Sequence, residues 1–136
     1  VEERETVDGK ETEVSRNYFA VCKRTNSVYY FGEVAGGAGI HGEKGARFGM
    51  IMPGTALLGA RHYQEIAPGA AMDRAEIVSL SEKVETPAGT FEKCLKVLET
   101  TPLEPDDKAH KFYAPNVGLV REGGMKLVRH GKAAAK

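Results

Sequence analysis

The chain has 136 residues, of which nineteen are basic and nineteen acidic, so its formal charge is zero; 41% of its residues are apolar. A chain of this size forms one domain and, by surface scaling, exposes roughly 6,900 Å² when folded, about a third of its unfolded area. Balanced charge without a basic block argues against a nucleic-acid groove and against long-range steering to an anionic membrane. The longest apolar run, Met50-Ile51-Met52, is cut by Pro53 and is far short of a membrane span.

In chain order, Glu2 to Thr6 and Glu11 to Cys22 read as strands joined at Val7-Asp8-Gly9-Lys10, because Asp-Gly supplies the positive φ angles of a tight hairpin turn. The dense charges of this hairpin keep it in water. Arg24-Thr25-Asn26-Ser27 turns the chain into a third strand at Val28-Tyr29-Tyr30-Phe31. Residues 34–59 then change character. Gly36, Gly37, Gly39, Gly42, Gly45, Gly49, Gly54 and Gly59 make a loop-rich crossing, with a short strand at Arg47 to Met52. A crossing this long inside a small domain is functional or mobile, and Val34 to Gly49 reads as a flap.

Arg61 to Ile66 and Ala75 to Leu80 read as strands on either side of Ala67-Pro68-Gly69. Lys83 to Glu85 leads into the turn Thr86-Pro87-Ala88-Gly89, and Thr90 to Thr101 is the longest strand. On it Phe91, Leu95 and Val97 share one face, interrupted by Lys93, while Cys94 and Leu98 lie on the other. Apolar residues on both faces imply a sheet covered on both sides somewhere. After the acidic turn Pro102 to Asp107, the strands Lys111 to Ala114, Gly118 to Glu122 and Met125 to His130 complete the sheet, the last two joined at Gly123-Gly124. Apart from a weak stripe at Thr55 to Ala60, no segment keeps helical spacing. The expectation is an all-β fold: a curved antiparallel sheet, a half-barrel or barrel of about eight to ten strands, with a glycine-rich crossing loop. Residues 1–131 make the domain and 132–136 a low-complexity, frayed tail.

Thr86-Pro87-Ala88-Gly89-Thr90-Phe91, then Lys96-Val97, then Phe112-Tyr113-Ala114-Pro115-Asn116-Val117-Gly118-Leu119-Val120 resembles the terminal hairpins of a group of uncharacterised bacterial exported β-sheet proteins, whose curved sheets are reminiscent of lipoprotein-carrier half-barrels. The opening Val1 to Thr6, Asn17-Tyr18-Phe19-Ala20, and Tyr63-Gln64-Glu65-Ile66-Ala67-Pro68-Gly69 are similar to one such group. The resemblance implies the fold and export to a periplasmic or extracellular compartment, not an activity. One departure is that Phe31-Gly32-Glu33 passes straight into the glycine-rich stretch, where the group continues into a polar hairpin. The chain starts at Val1 rather than Met, which reads as a processed or trimmed product, so the lack of a signal sequence does not decide the compartment.

Candidate chemistry is sparse, and no catalytic set assembles from spacing. Gly37-Ala38-Gly39-Ile40-His41-Gly42 spells a dinucleotide fingerprint, but the following glycines deny it the helix that would receive a pyrophosphate. No cofactor is expected. His41, His62, His110 and His130 are dispersed. A metal site would have to form across strands, from His62 and Glu65, or His62 with Gln64 on one strand face, plus Asp73 or Glu76 from the next strand; solvated surface residues are the bland alternative. Glu104, Asp106 and Asp107 read as an ordinary acidic turn rather than a calcium loop. Cys22 and Cys94 sit in strands and are either buried thiols or a cross-strand disulfide. Tyr18, Tyr30, Tyr63 and Tyr113, with apolar bodies and polar tips, suit either a core or a pocket rim and are the ligand-binding candidates.

Two functions follow. One is a non-catalytic exported domain whose concave face binds a small apolar ligand, a lipid or a protein partner. The other is a metal-assisted hydrolase built on His62 with a neighbouring carboxylate, the glycine-rich loop acting as a lid. A structural role as a homo-oligomer or a subunit of a larger assembly ranks third.

Overall fold

The computed structural model describes residues 1–34 and 40–132. Gly36, Gly37 and Gly39, and with them half of the fingerprint-like spelling, part of the expected flap and nearly all of the expected tail, lie outside the described residues. Among those described, every regular element is a strand. Thr55 to Ala60 forms turns rather than a helix: Leu57 and Leu58 are exposed, and Ala56 and Ala60 are partly buried against core residues.

The first sheet begins with β1 (Glu2–Val7) and β2 (Lys10–Val21), joined as expected through left-handed Asp8 (φ 51°) and Gly9 (φ 76°). Every residue of β1 is exposed, so this hairpin edge stays wet. β3 (Val28–Val34) and β4 (Arg47–Met52) follow, and β6 (Glu65–Ile66) completes the order β1-β2-β3-β4-β6. The second sheet has the order β11-β10-β9-β8-β7-β5, from β5 (Arg61–Tyr63), β7 (Arg74–Thr86), β8 (Gly89–Thr100), β9 (Lys108–Ala114), β10 (Gly118–Glu122) and β11 (Met125–Lys126). All pairings are antiparallel.

The expected strand Arg61 to Ile66 is therefore divided. Its first half pairs with β7 and its second half with β4, so the chain changes sheets at Gln64, which is 2% exposed. The Asp73 carbonyl accepts hydrogen bonds from the amides of Gln64 (2.8 Å) and Glu65 (3.4 Å), tying this crossing to the base of β7. Gly49 makes the approach of β4 possible, because any Cβ there would collide with the Gln64 carbonyl.

Lys93 alters the expected faces of β8. It adopts φ 56°, and the β7–β8 register slips on either side of Glu82, as a bulge does. Phe91 thereby joins Cys94 instead of Leu95 and Val97. It packs on the cluster Val84, Cys94, Phe112, Ala114 and Val120, whereas Ala75, Ile77 and Val97 form a second cluster on the opposite face. The sheet is thus covered on both sides. Over the first cluster it curls, with the Ala88 amide bonded to the Leu127 carbonyl at 3.1 Å. It does not close into a barrel, and the second cluster faces the loop residues Ala56 and Ala60.

The chain exposes 9462 Å², well above the roughly 6,900 Å² that scaling gives a compact chain. The fully exposed strand β1 and the open cleft between the sheets contribute to the excess.

Candidate functional site

A concavity of about 780 Å³ lies where the first sheet meets β8, β9 and the β9–β10 turn. Its walls are mainly apolar: Phe19 and Val21 from β2, Val28 from β3, Ile51 and Met52 from β4, Leu95 from β8 and Val117 and Leu119 beyond β9. Phe19, Val21 and Leu119 remain 42%, 57% and 41% exposed, so apolar surface meets water at the mouth.

Turn chemistry builds its two lips. At one, Asn26 is left-handed (φ 59°), and the Gly54 amide donates to Ser27 Oγ at 3.1 Å. Gly54 sits so close to the Thr25 carbonyl that a Cβ would overlap it, which locks the Thr25–Ser27 and Pro53–Gly54 turns together. At the other, Asn116 (φ 62°) and Gly118 (φ 107°) shape Pro115 to Gly118, and the Val117 amide bonds to the Ala114 carbonyl at 3.2 Å. Gly118 faces open space, so positive φ and not close packing demands glycine there. It also lines the cleft.

Leu95 and Tyr113 are cross-strand partners within the lining. Burial, opposed by Lys111 and reinforced by Glu99 and Glu122, pushes the Tyr113 hydroxyl up to about 12, so it stays a neutral donor. Nearby, Lys111 Nζ bridges Glu99 at 2.8 Å and Glu122 at 3.2 Å. Burial opposes that ammonium, yet the two carboxylates hold it above the ordinary lysine range.

Of the four tyrosine candidates only Tyr113 lines this cleft. Tyr30 is buried and donates to Asn17 Oδ1 at 2.7 Å; burial first, then nearby carboxylates, raises its hydroxyl far above the usual phenol value. Tyr18 is an exposed residue of β2, and Tyr63 lines a separate concavity of about 370 Å³ with Arg61, His62, Arg74 and Glu76.

The metal candidates do not converge. β5 and β7 pair Arg61 with Glu76 and His62 with Ala75, so His62 and Glu76 alternate onto opposite faces. Glu76 instead binds Arg61 Nε at 2.9 Å. Glu65 belongs to the other sheet, where it meets Asp73, and among the described residues no group of three or more His, Cys, Asp or Glu could hold a metal ion. Burial lowers the His62 pKa and leaves its Nε2 without a partner. Burial, then Asp73 and Glu33, lifts the Glu65 carboxyl to about 7.

Cys22 follows β2 in the first sheet and Cys94 is central in β8 of the second; both are free thiols, and their strands are not neighbours. Serial position could not reveal this, because the assignment of strands to sheets is a tertiary property. Lys93, Asn116 and Val117 line the cleft without a motif to mark them as site residues in the sequence. The available signal was Lys93 interrupting an otherwise apolar strand face.

Comparison with known proteins leaves the geometry to carry the function: no family model, curated protein or solved structure matches the chain.

Proposed function

We propose that this chain is a non-catalytic binding domain that takes a small apolar ligand into the cleft between its two sheets. The observation that carries the reading is the open cleft of about 780 Å³ with mainly apolar walls. Small-molecule sites are commonly concave, of about 300–1,000 Å³, and apolar with a few placed polar groups. Covering Phe19, Val21 and Leu119 would remove apolar surface from water, which stabilises a complex by about 25 cal/mol per Å² before the costs of association. The likeness of the terminal hairpins to exported β-sheet proteins favours a periplasmic or extracellular setting.

The test is titration with an environment-sensitive apolar dye. Val21→Glu and Leu119→Glu, both at exposed positions, should weaken dye binding at least tenfold while leaving the unfolding midpoint unchanged. Phe48→Glu, on the outer aromatic face of the first sheet, should not weaken it. Dye binding that ignores the two cleft variants, or that is lost only in the Phe48 variant, overturns the reading. So does a second protein, captured in place of any small molecule, whose contact survives both cleft substitutions.

A further inference from the structure

We infer that the cleft's ligand is an amphiphile with an anionic head group, and that Lys93 receives that head; this rests on the small-ligand reading above. Lys93 is the one charged residue among those lining the cleft. It makes no ion pair with a described residue, and its acidic neighbour Glu92 is engaged by Lys83 at 3.1 Å.

Its backbone is the second observation. Among the described residues, five other than glycine have positive φ, and Asn26, Lys93 and Asn116 all line this cleft. Asparagine enters the left-handed region readily at turns, whereas lysine inside a strand does so rarely. Strain of this kind persists where surrounding structure holds it and gathers at ligand sites. The bulge sends Phe91 to the far face but keeps Lys93 beside Leu95 on the cleft wall. A bulge re-aims a side chain in this way. An ordinary exposed lysine is solvated on an unstrained backbone, among polar neighbours. Lys93 is also exposed, but it lines a cleft whose other walls are mainly apolar, a setting in which attraction to an anion is stronger than in open water. Asn26 and Asn116 add neutral amide groups to the lining on the two lips. A lone ammonium is a compact point charge without the planar fork of arginine, so it recognises a carboxylate or a phosphate monoester alike.

The experiment displaces the bound dye from the full chain with dodecanoate, dodecyl phosphate and 1-dodecanol, which share one tail. Either anion should compete about tenfold better than the alcohol, a preference that added salt reduces. Lys93→Met should erase the preference and Lys93→Arg should keep most of it. Lys93→Gly should erase it while raising the unfolding midpoint, since glycine adopts positive φ without strain. Preference for dodecanoate alone or for dodecyl phosphate alone assigns the head to that anion. Equal competition by acid, phosphate and alcohol, or a preference that survives in Lys93→Met, overturns the inference and leaves the apolar cleft standing. Failure of all three to displace dye overturns the cleft reading itself.

Discussion

Tyr30 of β3 donates its hydroxyl hydrogen to Asn17 Oδ1 of β2 over 2.7 Å, and Asn17 Nδ2 in turn donates to Ser15 Oγ at 3.0 Å and Glu3 Oε2 at 3.1 Å. Ser15, Asn17 and Tyr30 are all buried. The β2–β3 pair is thus joined by a side-chain network under the ladder as well as by its backbone.

Tyr30→Phe leaves the buried Asn17 carbonyl oxygen without its donor, which costs about 1–3 kcal/mol. Urea unfolding should show that loss, with dye binding in the cleft unchanged because Tyr30 does not line it. A Tyr30→Phe protein of parental stability would mean the network contributes nothing net.

Glu65 makes stability depend on pH. Its folded carboxyl titrates near 7 against an ordinary 4.5, with burial as the main cause and Asp73 and Glu33 adding to it. The folded state therefore holds the proton more firmly than the unfolded chain. The stabilisation is fully present below about 4.5, falls as pH rises to about 7 and is absent above, a span on the order of 3 kcal/mol. Asp73 and Glu33, also raised by burial, act with the same sign. His62, lowered by burial, acts with the opposite sign as pH falls through the ordinary histidine range. The check is therefore a difference: the unfolding free energy of the parent minus that of Glu65→Gln, at pH 5 and at pH 7.5. It should be more favourable to the parent at pH 5, and a pH-independent difference rejects the assignment.

The two thiols should differ in reactivity. Hydrogen bonds from Thr25 and Arg24 lower the Cys22 thiol, which is partly exposed, while burial and then Glu92 and Glu82 raise that of Cys94, which is 0% exposed. Thiolate fraction and access both favour Cys22. An aromatic disulfide reagent should titrate Cys22 in the native protein and Cys94 only after unfolding. Equal native rates would mean that the Cys94 cluster opens readily.

Gly49→Ala should destabilise through overpacking, because the added methyl meets the backbone of Gln64 and Tyr63, which cannot step aside as a flexible side chain would. The expected cost is about 1–3 kcal/mol. Gly9→Ala is the comparison: its methyl meets nothing within 4 Å, so only the positive φ is strained. If Gly49→Ala costs no more than Gly9→Ala, β4 is not held against the crossing at Gln64.

Local rules were enough for much of this protein. Asp8-Gly9 announces its hairpin because few other residues adopt its φ angles, and Thr86-Pro87-Ala88-Gly89 places the β7–β8 turn, with Gly89 at φ 133°. Apolar residues on both faces of β8 announced a sheet covered twice. These are signals read over a few residues, and turn geometry and strand alternation are properties of a few residues. The division of Arg61 to Ile66 between two sheets is not. It depends on Gly49 letting β4 approach Gln64 and on the Asp73 carbonyl collecting both amides, contacts between segments that sequence does not juxtapose. The separation of Cys22 from Cys94 and the scattering of His62, Glu65, Asp73 and Glu76 follow from the same assignment of strands to sheets. So does the cleft, whose walls come from six strands and three turns and whose single charge faces it from a bulge. Alternation could mark Lys93 as an interruption, but only the packing of one sheet beside the other decided what it interrupts.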